Sequence, residues 1–337
     1  MDEIRLTARE VEQCRTVVRE LAVSFGTVED PELLARATVH AQELPRPLRY
    51  RLNDFRLAES SAAVLISGFP VDEDRIGPTP ERWGAQPDTT STFPEEAFFL
   101  LCASLLGEPF GWATQQGSRL VHDIVPIRGH EELQLNSAST TQIWWHVEDA
   151  FHPFRAEYLG MMCMRNPDRV ATTYAPVNGV KLASDVVDVL FQPRFVIRPD
   201  ESHQIEADAG DEGTMVRRSY ERVGQMRDEP VRIAVFFGDR DAPYLRLDPY
   251  FMDRTPDDPE AEAALAALSA ELDRTLTDLT LAPGQIVFVD NYRAVHGRNP
   301  FRPRYDGRDR WLKRVNVTRD LRKSRELRAG PDARVLY

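Results

Sequence analysis

Cysteine is scarce in this chain. Cys14, Cys102 and Cys163 are its only thiols in 337 residues, and no two of them stand in a C-x-x-C spacing. A disulfide-stapled scaffold is therefore excluded, and buried free thiols in a reducing cytoplasm are expected. Positive charge is in deficit too: 42 Lys and Arg face 54 Asp and Glu, a net charge of −12. That sign is wrong for nucleic acid, whose phosphates need a basic face, and for an anionic membrane surface. It would mildly favour a small cationic ligand. No apolar run approaches the ~18 residues that a transmembrane helix needs. The start, Met1-Asp2-Glu3-Ile4-Arg5, lacks an apolar stretch of the secretory kind, so a cytoplasmic location is expected. Internal repeats and low-complexity segments are also missing. What is there is ordinary: 42% apolar and 28% charged residues, as in soluble globular proteins.

The pattern along the chain is helical first and strand-rich later. Residues 6–26 place Val11, Cys14, Val17, Val18 and Leu21 on one helical stripe, and Thr7 with Glu10 forms a capping-box signature. A second helix is expected over 31–44, ending at Pro45. Residues 61–70 predict a buried strand, 71–95 a proline-broken loop, and 95–106 a helix stopped by Gly107. Strands are expected at 119–126, 142–148, 158–165, 170–174, 194–198, 231–238, 285–290 and 311–318. Helices are expected at 180–191 and 257–280. Residues 199–214 are polar, and suit either a mobile cover or a surface hairpin. The tail from Asp320 is charged and expected to be loosely held. Helices followed by strands indicate an α+β class.

Two stretches carry chemistry. In Trp144-Trp145-His146-Val147-Glu148-Asp149, the pair His146-x-Glu148 would sit on one face of an extended strand. A neutral nitrogen and a hard oxygen ligand make two thirds of the 2-His-1-carboxylate triad of non-heme Fe(II) oxygenases. Downstream, Val287-Phe288-Val289-Asp290-Asn291-Tyr292-Arg293-Ala294-Val295-His296 offers a third ligand, His296. Fourteen residues further stands Arg310, a cation that could hold a carboxylate cosubstrate through both guanidinium nitrogens. His152 lies beyond reach of the same metal. His122 suits a core position or one just outside the ligand set, and His40, His130 and His203 are expected at surface or structural positions.

With those residues in place, the chain resembles the clavaminate synthase-like family of Fe(II)/2-oxoglutarate-dependent oxygenases, in particular its amino-acid hydroxylase branch. The likeness runs from about 111 to 319 and is densest at 146–173 and 290–314. It implies one oxygenase domain. A helical part over about 1–108 would precede a distorted double-stranded β-helix, or jelly-roll, over about 109–319, with a helical insertion over about 253–281. It further implies Fe(II) on His146, Glu148 and His296, and 2-oxoglutarate held by Arg310 and Thr172, with Thr173 the neighbouring alternative. O2 would oxidise the cosubstrate to succinate and CO2 while the substrate gains a hydroxyl on an sp3 carbon.

Arg314 matches the arginine that pairs with a substrate α-carboxylate, and Gln115 the glutamine at the α-amino group, where Glu148 can also contribute. Asp248 matches an acid that reads the side chain. The arginine hydroxylases carry a second aspartate two positions on, where this chain has Tyr250. The implied substrate is thus a free L-amino acid such as arginine, citrulline or a cyclic guanidino amino acid, in natural-product or antibiotic biosynthesis. Lysine or asparagine are the alternatives. A non-oxygenase jelly-roll protein could use the same triad, but it would have no need of Arg310. A halogenase would need the Glu148 position vacated. Oligomeric state and the carbon attacked stay open.

Overall fold

The computed structural model describes residues 1–85, 88–204 and 213–337. In chain order its elements are β1 (Asp2–Arg5), α1 (Ala8–Ser24), α2 (Pro31–Ala41), α3 (Arg46–Ala58), β2 (Ala63–Ser67), α4 (Glu73–Ile76), α5 (Phe93–Leu106), β3 (Glu108–Trp112), β4 (Val121–Ile124), β5 (Ile143–His146) and β6 (Tyr158–Arg165). Then come β7 (Thr172–Pro176), α6 (Ser184–Leu190), α7 (Thr214–Asp228), β8 (Phe236–Gly238), β9 (Pro243–Leu245), α8 (Pro259–Thr275), β10 (Thr277–Leu279), β11 (Ile286–Asp290), β12 (Ala294–Arg298), β13 (Trp311–Thr318) and β14 (Val335–Leu336).

Two sheets face each other, the jelly-roll arrangement expected. The larger runs β1-β2-β11-β6-β13-β3-β14, with β4 also paired to β13; the smaller runs β10-β7-β12-β5. Period-two alternation assigns each strand residue to a layer. On β6 and β11, Leu159, Met161, Cys163, Val287 and Val289 point inward and meet Tyr174 and Ala294 of the smaller sheet. Their neighbours Met162, Ile286 and Phe288 point outward, into a helical layer built from α1, α2, α3 and α5. The far face of the smaller sheet packs Trp145, Ala175 and Val295 against α6 and α8.

β13 shows the alternation most clearly. Lys313, Val315 and Val317 face the helices, while Leu312 faces the other sheet. Arg314 shares the inner face with Leu312, and so does Arg310 just before the strand. Lys313 is fully buried, its Nζ 2.6 Å from both Glu96 of α5 and Asp123 of β4.

Several local expectations hold. Thr7 and Glu10 form the full capping box, with Thr7 N–H donating to Glu10 at 2.8 Å and Glu10 N–H donating to Thr7 Oγ1 at 3.3 Å. All three cysteines are free and buried. No helix among the described residues is long and apolar enough to cross a membrane.

Other expectations need correction. α3 follows directly on Pro45, which is the residue just before the helix; Pro47 sits in its first turn, where no N–H partner is lost. A proline taken as a helix stop is here a helix start. α7 was not foreseen, because only Ser219 and Val223 of its fifteen residues are buried, too few to make an apolar stripe. The expected strands 194–198 and 231–238 shrink to the bridges Phe195–Ile233 and Ile197–Met252 and to the short β8. The tail is not loose. β14 adds in parallel to β3, and Arg328 donates to the carbonyls of Leu321, Gly330, Pro331 and Ala333. Of the polar stretch 199–214, residues 205–212 lie outside the described part.

Replacing Lys313 by Met should destabilise the fold by about 3–5 kcal/mol, because it strands the buried Glu96 without a cation and leaves Asp123 only the longer contact to Arg119, at 3.8 Å. Urea unfolding at neutral pH measures this. A change below ~1 kcal/mol would show that Glu96 and Asp123 do not depend on the lysine.

Candidate active site

β5 and β12 are antiparallel neighbours, and their register sets His146 directly opposite His296. Their rings lie 4.6 Å apart, centroid to centroid. The strands can come this close because residue 297 is glycine. A Cβ there would lie 2.5 Å from Ile143 O and 3.0 Å from Trp145 N, both backbone atoms.

Glu148 does not lie on β5 as expected. The strand ends at His146, and Glu148 stands in the turn that follows. Its backbone is fixed from outside. Asn291, fully buried, accepts from Glu148 N–H at 2.8 Å and donates to the carbonyls of Glu148 at 3.1 Å and Ala156 at 2.9 Å. Val147 N–H donates to Leu247 O at 2.8 Å, which ties the same turn to the segment carrying Asp248.

The result is a buried cluster of three ligand-type side chains. Glu148 Oε2 is 3.5 Å from His146 Nε2 and 3.3 Å from His296 Nε2. His146 Nδ1–H donates to Trp144 O at 2.7 Å, which leaves the Nε2 lone pair turned to the centre. Glu148 Oε2 is buried and accepts no hydrogen bond, while Oε1 takes Arg314 Nη1. Burial opposes ionisation of Glu148, but the charge of Arg314 leads what outweighs it, and the carboxylate is held well below its ordinary range. An orphaned buried carboxylate oxygen between two imidazole nitrogens is a fitting donor set for a divalent ion such as Fe(II). His146, Glu148 and His296 are one of two such groupings among the described residues; the other is Asp149, Asp200 and His203.

Two cavities share the wall formed by His146 and Glu148. One is lined by Ile124, Leu159, Met161, Thr172, Arg298, Arg310 and Arg314. Arg310 is buried, and Thr172 Oγ1 at 3.4 Å is its side-chain partner. No carboxylate pairs with it among the described residues, and its Nε finds no acceptor. Burial pulls its pKa down to about 10. Thr172 faces inward, whereas Thr173 faces Gly297 on the other side of the strand. Arg298, which sequence reasoning passed over, is spent on the carbonyls of Ala138, Ser139 and Thr141. Burial, and then the charge of Arg310, lower its pKa to about 9. This chamber therefore holds surplus buried positive charge.

The other cavity is lined by Trp144, Asp200, Ser202, Asp248, Tyr250 and Phe251. It is acidic. Burial raises Asp248 to about 6, with His146 opposing the shift and Asp200 adding to it. Tyr250 is half exposed on the rim. Asp200 had no role in the sequence reading; nothing local marks it, because it reaches the cavity only through the tertiary course of residues 199–204.

Gln115 and Arg314 meet at the centre. Gln115 Oε1 accepts from Arg314 Nη2 at 2.8 Å, and Arg314 Nη2 also reaches His122 Nδ1 at 2.8 Å. His122 is thus a buried neutral ring beside Arg314, its protonation disfavoured first by burial and then by that arginine. His152 is buried and accepts from Phe154 N–H at 3.1 Å, away from the cluster. His203 is not a surface residue: it is 1% exposed and bonded to Asp149.

The model of the Taurine catabolism dioxygenase TauD, TfdA family matches residues 43–316. The chain is 45% identical to the L-ornithine/L-arginine 3-hydroxylase of Catenulispora acidiphila, covering 100% of both chains. It is 44% identical to the enduracididine beta-hydroxylase of Streptomyces hygroscopicus, over 95% of each. Among solved structures it is similar to the non-heme iron oxygenase OrfP in complex with Fe, succinate and (3S)-hydroxy-L-Arg, with a TM-score of 0.94, 43% identity and 100% of each chain covered.

Gly297→Ala should force β5 away from β12, since the clash is with backbone that cannot swing aside. Hydrogen exchange of the residue 143–146 amides is expected to accelerate at least tenfold. Exchange as slow as in the parent would mean that the two strands tolerate the extra methyl group.

Proposed function

The chain belongs to the TauD, TfdA family of dioxygenases, and from that premise we propose that it hydroxylates an sp3 carbon of a free L-amino acid with a cationic side chain. It is an Fe(II)/2-oxoglutarate-dependent hydroxylase, as its relatives are. Arginine, ornithine and a cyclic guanidino amino acid are the leading substrates. The observation that carries the choice is the pair of chambers meeting at His146 and Glu148, one with surplus positive charge and the other acidic.

In this proposal His146, Glu148 and His296 hold the iron. When bound, iron supplies with O2 the oxidising power to place one oxygen atom in an unactivated C–H bond, as 2-oxoglutarate becomes succinate and CO2. The protein's part is positioning and exclusion of water. Arg310 and Thr172 take the distal carboxylate of 2-oxoglutarate, for which a buried guanidinium lacking an anionic partner is suited. Leu159 and Met161 line that chamber and keep it dry. Arg314 takes the substrate α-carboxylate, and Gln115 the α-amine through Oε1. In the substrate-free chain Glu148 Oε1 already accepts from Arg314, so any contact of Glu148 with the amine shares that oxygen.

Asp248 and Asp200 then face the side-chain terminus. The second carboxylate missing at Tyr250 is supplied from a different segment, and two acids suit a guanidinium or ammonium better than the neutral ureido group of citrulline. Similarity to an enduracididine beta-hydroxylase supports a place in antibiotic biosynthesis. The acidic surface suits the cytoplasm, with no nucleic-acid or membrane partner.

Two measurements test this function. Arg310→Ala should raise the KM for 2-oxoglutarate by about thirtyfold or more, the equivalent of ~2 kcal/mol or more for a buried charge pair truncated on one side. The amino-acid KM should move far less, and equal shifts in both would take the cosubstrate role away from Arg310. In a panel of free amino acids followed by mass spectrometry for gain of one oxygen, arginine and ornithine should lead. Asp248→Asn or Asp200→Asn should cut kcat/KM for them at least tenfold while sparing citrulline. Hydroxylation confined to apolar amino acids is the outcome that would sink this assignment.

A further inference from the structure

Residues 200–204 carry two side chains into the acidic chamber, Asp200 and Ser202. The turn they form, Glu201–His203, is a single stretch of 3-10 helix. It is capped by Asp200 Oδ1, which accepts from Ser202 N–H at 2.8 Å. A turn this short does not hold its own position, because it closes too few hydrogen bonds to offset the entropy of ordering it. Something outside it must.

His203 points the other way, into the protein. Its Nδ1 lies 2.7 Å from Thr114 Oγ1 and its Nε2 lies 2.9 Å from Asp149 Oδ1. A neutral imidazole satisfies both contacts: Nε2–H donates to the carboxylate and Nδ1 accepts the threonine hydroxyl. The rings of Phe151 and Trp112 stand edge-on to it, 5.0 and 5.5 Å away between centroids. Asp149 in turn is the residue after Glu148. Its Oδ2 accepts from Trp112 Nε1 at 2.6 Å and from Asn316 Nδ2 at 3.3 Å. One buried ring therefore joins residues 200–204 to the turn that carries Glu148 and to the segment after β3. Gln115 adds two further side-chain contacts from this turn to the site: its Nε2 donates to Ser202 Oγ at 2.6 Å and lies 3.0 Å from His203 Nε2.

We propose that His203 is a positioning residue for the hydroxylation: through Asp149 and Thr114 it holds Asp200 and Ser202 in register with Glu148, and so sets amino-acid affinity and the fraction of 2-oxoglutarate turnover that ends in hydroxylated product. It does so without touching either substrate. The substrate half of this rests on the chamber assignment proposed above; the tie itself rests on the bonds of His203 to Thr114, Asp149 and Gln115. Losing it would let the wall carrying Asp200 drift, and a substrate carbon misplaced by about 1 Å can cost two orders of magnitude in rate.

The test uses enzyme loaded with Fe(II) and 2-oxoglutarate under nitrogen, with hydrogen exchange of residues 200–204 and the dissociation constant of L-arginine as readouts. His203→Ala is expected to speed exchange there at least tenfold and to weaken L-arginine at least tenfold. The KM for 2-oxoglutarate should stay within twofold, and in air succinate should outrun hydroxylated product. His203→Gln, whose amide N–H can reach Asp149, should recover most of both losses. Thr114→Val removes only the Nδ1 partner and should fall between. Unchanged exchange and unchanged L-arginine affinity in His203→Ala overturn the proposal. So does an equal loss of iron, 2-oxoglutarate and L-arginine affinity, which marks general collapse of the site. Should the parent enzyme bind no cationic amino acid, the substrate reading falls by itself; exchange in His203→Ala then still supports the tie if raised and overturns it if unchanged.

Discussion

The close backbone approach of β12 to β5 is the constraint on which the site depends. Antiparallel pairing puts His146 and His296 on one level of one sheet, and Gly297 lets the two strands meet without a side chain between them. Glu148 is then brought in from beyond the strand end. Its turn is pinned by Asn291, from the connection between β11 and β12, and by the bond from Val147 to Leu247. The three polar groups converge because three separate backbone contacts agree, and their convergence leaves one carboxylate oxygen without a hydrogen bond.

Charge is sorted around that point. β13 and the residue before it send Arg310 and Arg314 to the inner face while Lys313 goes to the helical side, where Glu96 and Asp123 neutralise it. The inner guanidiniums stay without such compensation, apart from the bond between Arg314 and Glu148. On the other side of the triad Asp200 and Asp248 gather in one chamber. On the assignment proposed for the two chambers, an anionic cosubstrate and a cationic substrate would be drawn to opposite sides of one centre. In a buried medium this sorting discriminates strongly, because unlike placements would put like charges together with little solvent between them.

The polar network behind the triad explains residues that look incidental in sequence. Asp149 has a left-handed backbone, φ 51°, and accepts from Trp112, His203 and Asn316. A side chain with three donors around it can hold a turn in that conformation. His203, which in sequence is one histidine in a polar stretch, belongs to this network because the chain folds back over the mouth of the sheet.

Much of the protein was legible along the chain wherever the cause is local or periodic. The capping box of α1, the alternation of β6, β11 and β13, and the spacings of His146, Glu148, His296 and Arg310 are of that kind. Such signals depend only on the few residues around them. Pro45 misled because a proline just before a helix and one just after it look alike until the following residues are seen packed. Asp200, Asn291, Arg298 and His203 were not recoverable in the same way. Their roles arise from contacts across 48 to 160 positions of sequence, and no local propensity records which distant partner a polar side chain will meet. The chemistry at the metal could be read from spacing. The second carboxylate of the acidic chamber could not, since only the closed fold brings residue 200 beside residue 248 from another segment.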